Sequence, residues 1–271
     1  MSNLKYFING KITNQKDSYI HIENPGFQRG YGTFETIRFN NKKLFNIDRH
    51  INRLIDGCTT VNIPIKYTAN YLIESINKTI EHNSLKNGLA KLIVTKKNDL
   101  GNETNLYIMV RPLYDTPNEP VKVTFFKEKD YPLIRFNPAI KSINYLGNMM
   151  ALEDAKKEGA YEPVFISKDG FITECAIRNI FFIKDKELLT PSLNLGVLPG
   201  VTREIIKEIA NKIGLISSDS YISYSDINDM DEAFISSTGI GILSCFWNTW
   251  KSDYKKTKEL QFLLEETIKN N

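Results

Sequence analysis

The apolar residues of this chain recur with two kinds of spacing, one typical of helices and one typical of strands. Leu72, Ile76 and Ile80 recur every four residues, which predicts an amphipathic helix over about 69–82. The same periodicity predicts helices over 48–60 (with Asp48 as N-cap), 145–157 and 200–213, and a polar helix at the C-terminus. Residues 6–8, followed by Asn9-Gly10, predict a strand entering a tight hairpin. Apolar runs and alternating patterns predict further strands at 33–39 (resumed at 44–45), 89–95, 105–110, 121–126, 163–167, 171–183 with an interruption, 187–189 and 233–237, and a short strand running into Lys141.

The most probable domain boundary is the stretch 117–120, which begins and ends with proline. Two prolines with polar neighbours suit a linker and not the interior of an element. We therefore expect a domain boundary there, between residues 1–116 and residues 121–271. Many strands with scattered helices predict an α+β or mixed α/β fold overall.

Composition and charge exclude several classes of partner. The net charge of the 271 residues is +3, with 35 basic and 32 acidic residues interspersed, which does not predict a nucleic-acid-binding protein. No apolar run approaches the ~20 residues of a membrane span, and the start of the chain does not resemble a signal peptide. Three scattered cysteines and three unclustered histidines predict no metal site and suit a reducing cytoplasm.

Two residues suggest chemistry within apolar surroundings. Lys141 lies at the end of an apolar stretch, just before a predicted helix. A buried amine there would have a lowered pKa and could condense with an aldehyde cofactor, whereas the alternative is a surface lysine at a strand end. Glu174 lies between apolar strand residues. Such a carboxylate can keep the ring nitrogen of a cofactor protonated, or it can lie in solvent at a strand edge.

Two further segments are candidates for binding a phosphate. Gly200, Val201 and Thr202 open a predicted helix, where free backbone amides and the Thr202 hydroxyl suit an anion, although Thr202 could equally be a plain cap. The stretch 236–241 follows a strand and carries hydroxyls and glycine amides. It is either a second anion site or an ordinary loop.

The order of these and further short motifs along nearly the whole chain can be compared with that of known protein families. Residues 26–38 contain a glycine-rich lead into an F-E-x-x-R strand, and a helix with H-x-x-R-L follows at His50, Arg53 and Leu54. The segments 141–146, 173–181, 189–191, 200–203 and 236–238 then follow in turn. Together they resemble the class IV aminotransferases, the fold-type IV enzymes that use pyridoxal 5'-phosphate (PLP).

The resemblance implies a role for each matching residue. Lys141 would carry PLP as a Schiff base and then move the substrate proton, and Glu174 would pair with the pyridine nitrogen. The phosphate would be held by the following residues: Arg53, Val201, Thr202, Ser237 and Thr238. The resemblance also implies a two-domain fold-type IV architecture, with a smaller N-terminal α+β domain over residues 1–116, a linker over residues 117–120 and a larger C-terminal PLP-binding domain over residues 121–271, and it implies a homodimer.

The resemblance leaves the reaction open, because the family contains branched-chain and D-amino-acid aminotransferases as well as 4-amino-4-deoxychorismate lyases. We expect a transaminase that moves an amino group between an amino acid and a 2-oxo acid. The alternative is a lyase that releases 4-aminobenzoate and pyruvate from aminodeoxychorismate. Phe34 and Arg38 share a strand face and are expected, with Gly239, to contact substrate; the alternative is that Phe34 is core and Arg38 solvated or paired internally. A T-R-G-type turn is absent after Thr95, and Lys96 or Lys97 would lack the bidentate fork of an arginine.

Overall fold

The computed structural model describes residues 4–98, 101–136 and 138–271. Its contacts divide the chain into two compact units. The first contains residues 1–114, 140–144 and 271, and the second contains residues 115–139 and 145–270. The segment 140–144, which the sequence analysis assigned to the C-terminal domain, therefore groups with the first unit.

The first unit is an antiparallel sheet with its two longer helices packed on one face. Its elements are β1 (Lys5–Ile8), β2 (Lys11–Asn14), α1 (Pro25–Arg29), β3 (Gly32–Asn40), β4 (Lys43–Leu44), α2 (Ile47–Thr60), α3 (Ala69–Glu81), β5 (Gly88–Lys96) and β6 (Thr104–Arg111). The strand order is β2-β1-β6-β5-β3-β4. Alternate residues of the central strands, such as Ile37 and Leu92, are buried against Leu54 and Ile76 of the two longer helices. The opposite face of these strands carries both apolar and polar side chains, among them Phe34, Lys91 and Ile93.

The second unit contains a larger mixed sheet. Its elements are β7 (Val121–Lys127), α4 (Leu146–Lys157), β8 (Glu162–Ile166), β9 (Ile172–Cys175), β10 (Asn179–Lys184), β11 (Glu187–Pro191), α5 (Val201–Ala210), β12 (Ile216–Ser220), β13 (Glu232–Ser237), β14 (Gly241–Phe246) and α6 (Lys255–Lys269). The strand order is β12-β11-β10-β13-β14-β7-β8-β9, with parallel and antiparallel pairs. The mixed α/β prediction is confirmed.

Three details of the predicted elements differ from the structure. The predicted short strand into Lys141 is wrong, because Ser142 makes only an isolated bridge to Thr33. Pro138 lies close before it, and a proline has no amide hydrogen to donate to a ladder. Asp48 is not an N-cap: α2 begins at Ile47 after Asn46, and Asp48 lies in its first turn. The strands β12 and β14 were not predicted.

Neither a membrane span nor a metal site is found in the part of the chain that the structure describes. Every helix there is too short or too polar to cross a bilayer. Within the same ranges, no three His, Cys, Asp or Glu side chains converge on a point where a metal ion could bind.

Candidate active site

Lys141 is held against the start of β3 in the first unit. Its carbonyl oxygen accepts a hydrogen bond from the amide of Phe34 (2.9 Å), and the amide of Ile143 donates to the carbonyl of Gly32 (3.1 Å). The amine of Lys141 lies 4.7 Å from the centroid of the Phe34 ring. Among residues 4–98, 101–136 and 138–271, no carboxylate lies within ion-pair distance of this amine. The amine is therefore not committed to a structural ion pair and can react with an aldehyde.

A second lysine, which the sequence analysis missed, shares the same ring. Lys91 lies on β5 opposite Thr36 of β3, and its amine is 4.4 Å from the centroid of Phe34. Burial lowers the pKa of Lys91, and the charges of Arg111 and Lys141 lower it further. Strand alternation could have indicated Lys91, because its neighbours Ala90 and Leu92 are core residues and it must face the other way.

A cavity of about 340 Å³ adjoins Lys91 in the first unit. Its walls are largely apolar and include Ile93, Tyr107, Met109 and Ile143. Small-molecule sites are commonly apolar cavities with a few charged or polar groups that orient the ligand. This cavity has that character, with the Lys91 amine as a cation in its wall.

Arg53, the predicted phosphate ligand, lies in a buried cluster of charged groups. Its Nε donates to Oε1 of Glu35 (2.6 Å) and its Nη2 donates to Oε2 (2.7 Å). Nδ1 of His50 lies 2.7 Å from the same Oε2. Burial by itself would raise the pKa of Glu35, but Arg53 and His50 outweigh it and lower that pKa to about 2. Glu35 is therefore an anion, and it was not recognised from the sequence as a partner of Arg53.

Glu174 lies in the second unit, where an arginine holds it. Its Oε1 accepts a hydrogen bond from Arg135, and its Oε2 accepts one from the amide of Leu198 (3.2 Å). Arg135 also donates from Nε to Glu128 (3.0 Å). Burial opposes the charge on Arg135, but Glu174 and Glu128 outweigh it and raise its pKa. Arg135 was also missed, because it lies in an irregular segment without a periodic pattern.

The start of α5 offers donors for an anion in the second unit. Gly200 is its N-cap and supplies no side-chain cap, so the first amides of the helix, from Val201 onward, can bind a ligand. The hydroxyls of Thr202 and Thr238 lie 3.4 Å apart, and the nearby hydroxyl of Ser236 is buried without a hydrogen-bond partner in the described residues. The structure thus brings the two predicted threonines together beside a helix N-terminus.

The remaining predicted residues lie on the elements that the sequence indicated. Phe34 and Arg38 occupy alternate positions of β3, with Phe34 buried beneath the two lysine amines and Arg38 half-buried. Ser237 ends β13, and Gly239 lies in the turn to β14. Lys97 forms an exposed ion pair with Glu103, as expected of a surface lysine.

Comparison with known protein families decides the membership of this chain. A family model described as amino-transferase class IV matches residues 32–245. The chain belongs to the class IV aminotransferases. The D-alanine aminotransferase of Listeria monocytogenes (serotype 1/2a, strain 10403S) is 30% identical over 250 residues, covering 88% of this chain and 86% of that protein. The aminodeoxychorismate lyase of Bacillus subtilis (strain 168) is 29% identical, covering 97% of this chain and 94% of that protein.

Solved structures of this family share the fold of the chain. The branched-chain aminotransferase of Thermoproteus uzoniensis, solved with norvaline, has a TM-score of 0.90 at 21% identity, covering 98% of this chain and 95% of that one. A hypothetical aminotransferase of Mycobacterium tuberculosis in its PLP-bound form has a TM-score of 0.86 at 18% identity, covering 97% and 98%. The predicted fold-type IV architecture is confirmed.

Class IV aminotransferases use PLP as their cofactor. The residues of this chain offer groups that fit each part of that cofactor. The first unit provides the amine of Lys141, which has no ion-pair partner among the described residues. The second unit provides a carboxylate partner for a ring nitrogen in Glu174, which Arg135 holds, and hydroxyls and amides for a phosphate around Thr202. The orphaned buried hydroxyl of Ser236 is a polar group that a bound phosphate would help to satisfy.

Proposed function

We propose that the chain is a PLP-dependent transaminase that moves an amino group between an amino acid and a 2-oxo acid. The observation that carries the proposal is the position of Lys141, whose amine lies over the Phe34 ring together with that of Lys91, a residue that lines an apolar cavity. An amino acid and a 2-oxo acid both carry a carboxylate, which such a group of cations attracts. The similarity to D-alanine aminotransferases supports the same class of reaction.

In this proposal each side chain has one task. The bound cofactor withdraws electrons from the substrate carbon that loses its proton. Lys141 removes and returns that proton through its amine, and Glu174 holds the pyridine nitrogen protonated because an anion favours the charged form of its neighbour. In the proposal the phosphate is bound by Arg53, by the amides of Val201 and Thr202, and by Ser237 and Thr238.

Lys91 is the residue that we propose binds the substrate carboxylate. Its amine is close to two other cations, Arg111 and Lys141, and within the described residues it has no carboxylate partner. Like charges in a partly desolvated place destabilise one another, and an anionic ligand relieves that repulsion. Both lysine amines lie over the Phe34 ring. In the proposal, Phe34, Arg38 and Gly239 also contact the substrate.

The test is an assay of products from the purified holoenzyme. One reaction contains L- or D-amino acids with 2-oxoglutarate or pyruvate, and another contains aminodeoxychorismate alone. Transamination predicts a new amino acid and a new 2-oxo acid in equal amounts. Release of 4-aminobenzoate and pyruvate, without amino transfer in the first reaction, would contradict it.

The second candidate function is that of an aminodeoxychorismate lyase. It is favoured by the B. subtilis lyase, whose similarity extends over 97% of this chain, whereas that of the D-alanine aminotransferase extends over 88%. The substrate of the lyase also carries carboxylates, so the cations near Lys91 suit both reactions.

The proposal includes a homodimer in the cytoplasm, with small-molecule substrates and neither nucleic acid nor membrane as a partner. The three cysteines, Cys58, Cys175 and Cys245, are buried free thiols, which suits a reducing compartment. Light scattering coupled to size-exclusion chromatography tests the assembly: a mass near twice 31.1 kDa is expected, and a monomer would contradict the dimer.

A further inference from the structure

We infer that Glu35 is a positioning residue, which holds Arg53 in the orientation that meets the phosphate of the cofactor. The inference rests on the proposed function, in which Arg53 binds that phosphate. It adds Glu35, which contacts the arginine, and His50, which contacts Glu35.

The first argument is the geometry of the ion pair. Glu35 is fully buried on the core side of β3, and both of its oxygens are engaged by the Nε and Nη2 edge of Arg53. A guanidinium is planar, so fixing this edge also fixes the direction of the edge formed by Nη1 and Nη2. A flexible arginine is thereby held in one orientation before a ligand arrives, which lowers the entropy lost on binding.

The second argument is the role of His50, which is 1% exposed and lies three residues before Arg53 on α2. Burial lowers the pKa of His50, although the hydrogen bond to Glu35 opposes this. An ionised carboxylate can only accept, so the neutral imidazole must donate from Nδ1 to Oε2 of Glu35. This contact keeps the carboxylate from rotating and completes the cluster.

Charge and positioning predict opposite effects of removing Glu35. The carboxylate offsets the positive charge of Arg53, so if charge alone mattered, its removal would tighten the binding of a phosphate. If orientation matters more, its removal weakens binding. The sign of the change therefore decides whether Glu35 positions Arg53.

The experiment compares two ligands of the apoprotein, PLP and pyridoxal, which lacks the phosphate. Dissociation constants are measured from the absorbance of the bound cofactor for the parent, for Glu35→Gln and for the control Glu103→Gln, whose carboxylate pairs with Lys97 in solvent. We expect Glu35→Gln to raise the dissociation constant of PLP about tenfold, a change of about 1.4 kcal/mol. That of pyridoxal should change less than about twofold, and the control should match the parent.

Arg53→Ala, alone and combined with Glu35→Gln, separates this inference from the proposed function. If Arg53→Ala weakens PLP and pyridoxal equally, Arg53 does not bind the phosphate, and the proposed function fails at that residue. If Arg53→Ala weakens PLP selectively but Glu35→Gln leaves PLP unchanged or tightens it, only the positioning role is overturned. The positioning role predicts that Glu35→Gln has no further effect in the Arg53→Ala background.

His50 provides a second test if Glu35→Gln fails to fold. His50→Asn keeps a donor for Glu35, whereas His50→Leu fills the site without one. We expect His50→Leu to bind PLP several-fold more weakly than His50→Asn, with pyridoxal binding similar in both. Equal PLP affinities of the two folded variants would overturn the inference.

Discussion

The Glu35 cluster predicts how the stability of the first unit depends on pH. Arg53 and His50 lower the pKa of Glu35 from 4.5 to about 2, against the effect of burial. A carboxylate with a lowered pKa in the folded state stabilises that state fully above its unfolded pKa, and the contribution disappears as the pH falls to the folded value. The lowering corresponds to about 3 kcal/mol of unfolding free energy, lost between about pH 4.5 and pH 2.

His50 extends the pH range in which stability is lost to higher pH. Because burial lowers its pKa below 6.5, the unfolded chain takes up a proton more readily than the folded chain does. Stability should therefore begin to fall below about pH 6.5, more steeply once Glu35 titrates. Both groups act in the same direction, so the free energy of unfolding should decrease throughout the acid range.

The assay is urea denaturation of the apoprotein at pH 7, 5, 4 and 3, for the parent and Glu35→Gln. Both tryptophans, Trp247 and Trp250, belong to the second unit, so their fluorescence follows that unit, and circular dichroism is needed to follow the first. Glu35→Gln should be less stable at pH 7, and the difference should shrink as the pH falls from 5 to 3. A difference that stays constant over this range would refute the reasoning, because no carboxylate would then be titrating. The exposed control Glu103→Gln should unfold like the parent.

Three further outcomes are expected. Borohydride reduction of the holoenzyme followed by peptide mapping should place the pyridoxyl group on Lys141, and a label on Lys91 would contradict the assignment. Lys91→Gln should raise KM for a carboxylate substrate roughly ten- to a hundredfold with a smaller change in kcat, because a charge-assisted contact contributes about 1.5–3 kcal/mol. Lys97→Gln is the surface control. An unchanged KM for Lys91→Gln would exclude a contact between Lys91 and the substrate carboxylate. Gly200→Ala should weaken PLP binding about tenfold or more, because the new Cβ would lie 2.1 Å from Oδ1 of Asn179 and the loop must shift; unchanged affinity in a titration would show that this loop does not hold the phosphate.

The sequence alone was sufficient to predict the helices and strands that are recognisable from a local pattern of apolar side chains. The helices α2, α3 and α4 were predicted within a few residues, because the spacing of apolar side chains on one helix does not depend on distant parts of the chain. The family was likewise predicted from the order of short motifs, including those at Lys141 and Glu174, and the family model confirms it. The roles of the individual site residues stay predictions.

Contacts between side chains on different elements became known only from the tertiary structure. Lys91 reaches Phe34 because β5 pairs with β3 in one register, and that register depends on packing between strands more than 50 residues apart in sequence. Arg135 reaches Glu174 from a segment without periodicity, and Glu35 reaches Arg53 only because α2 packs on the core face of β3. Local patterns constrain neighbours on the same element, whereas contacts between elements follow from how the buried faces fit together.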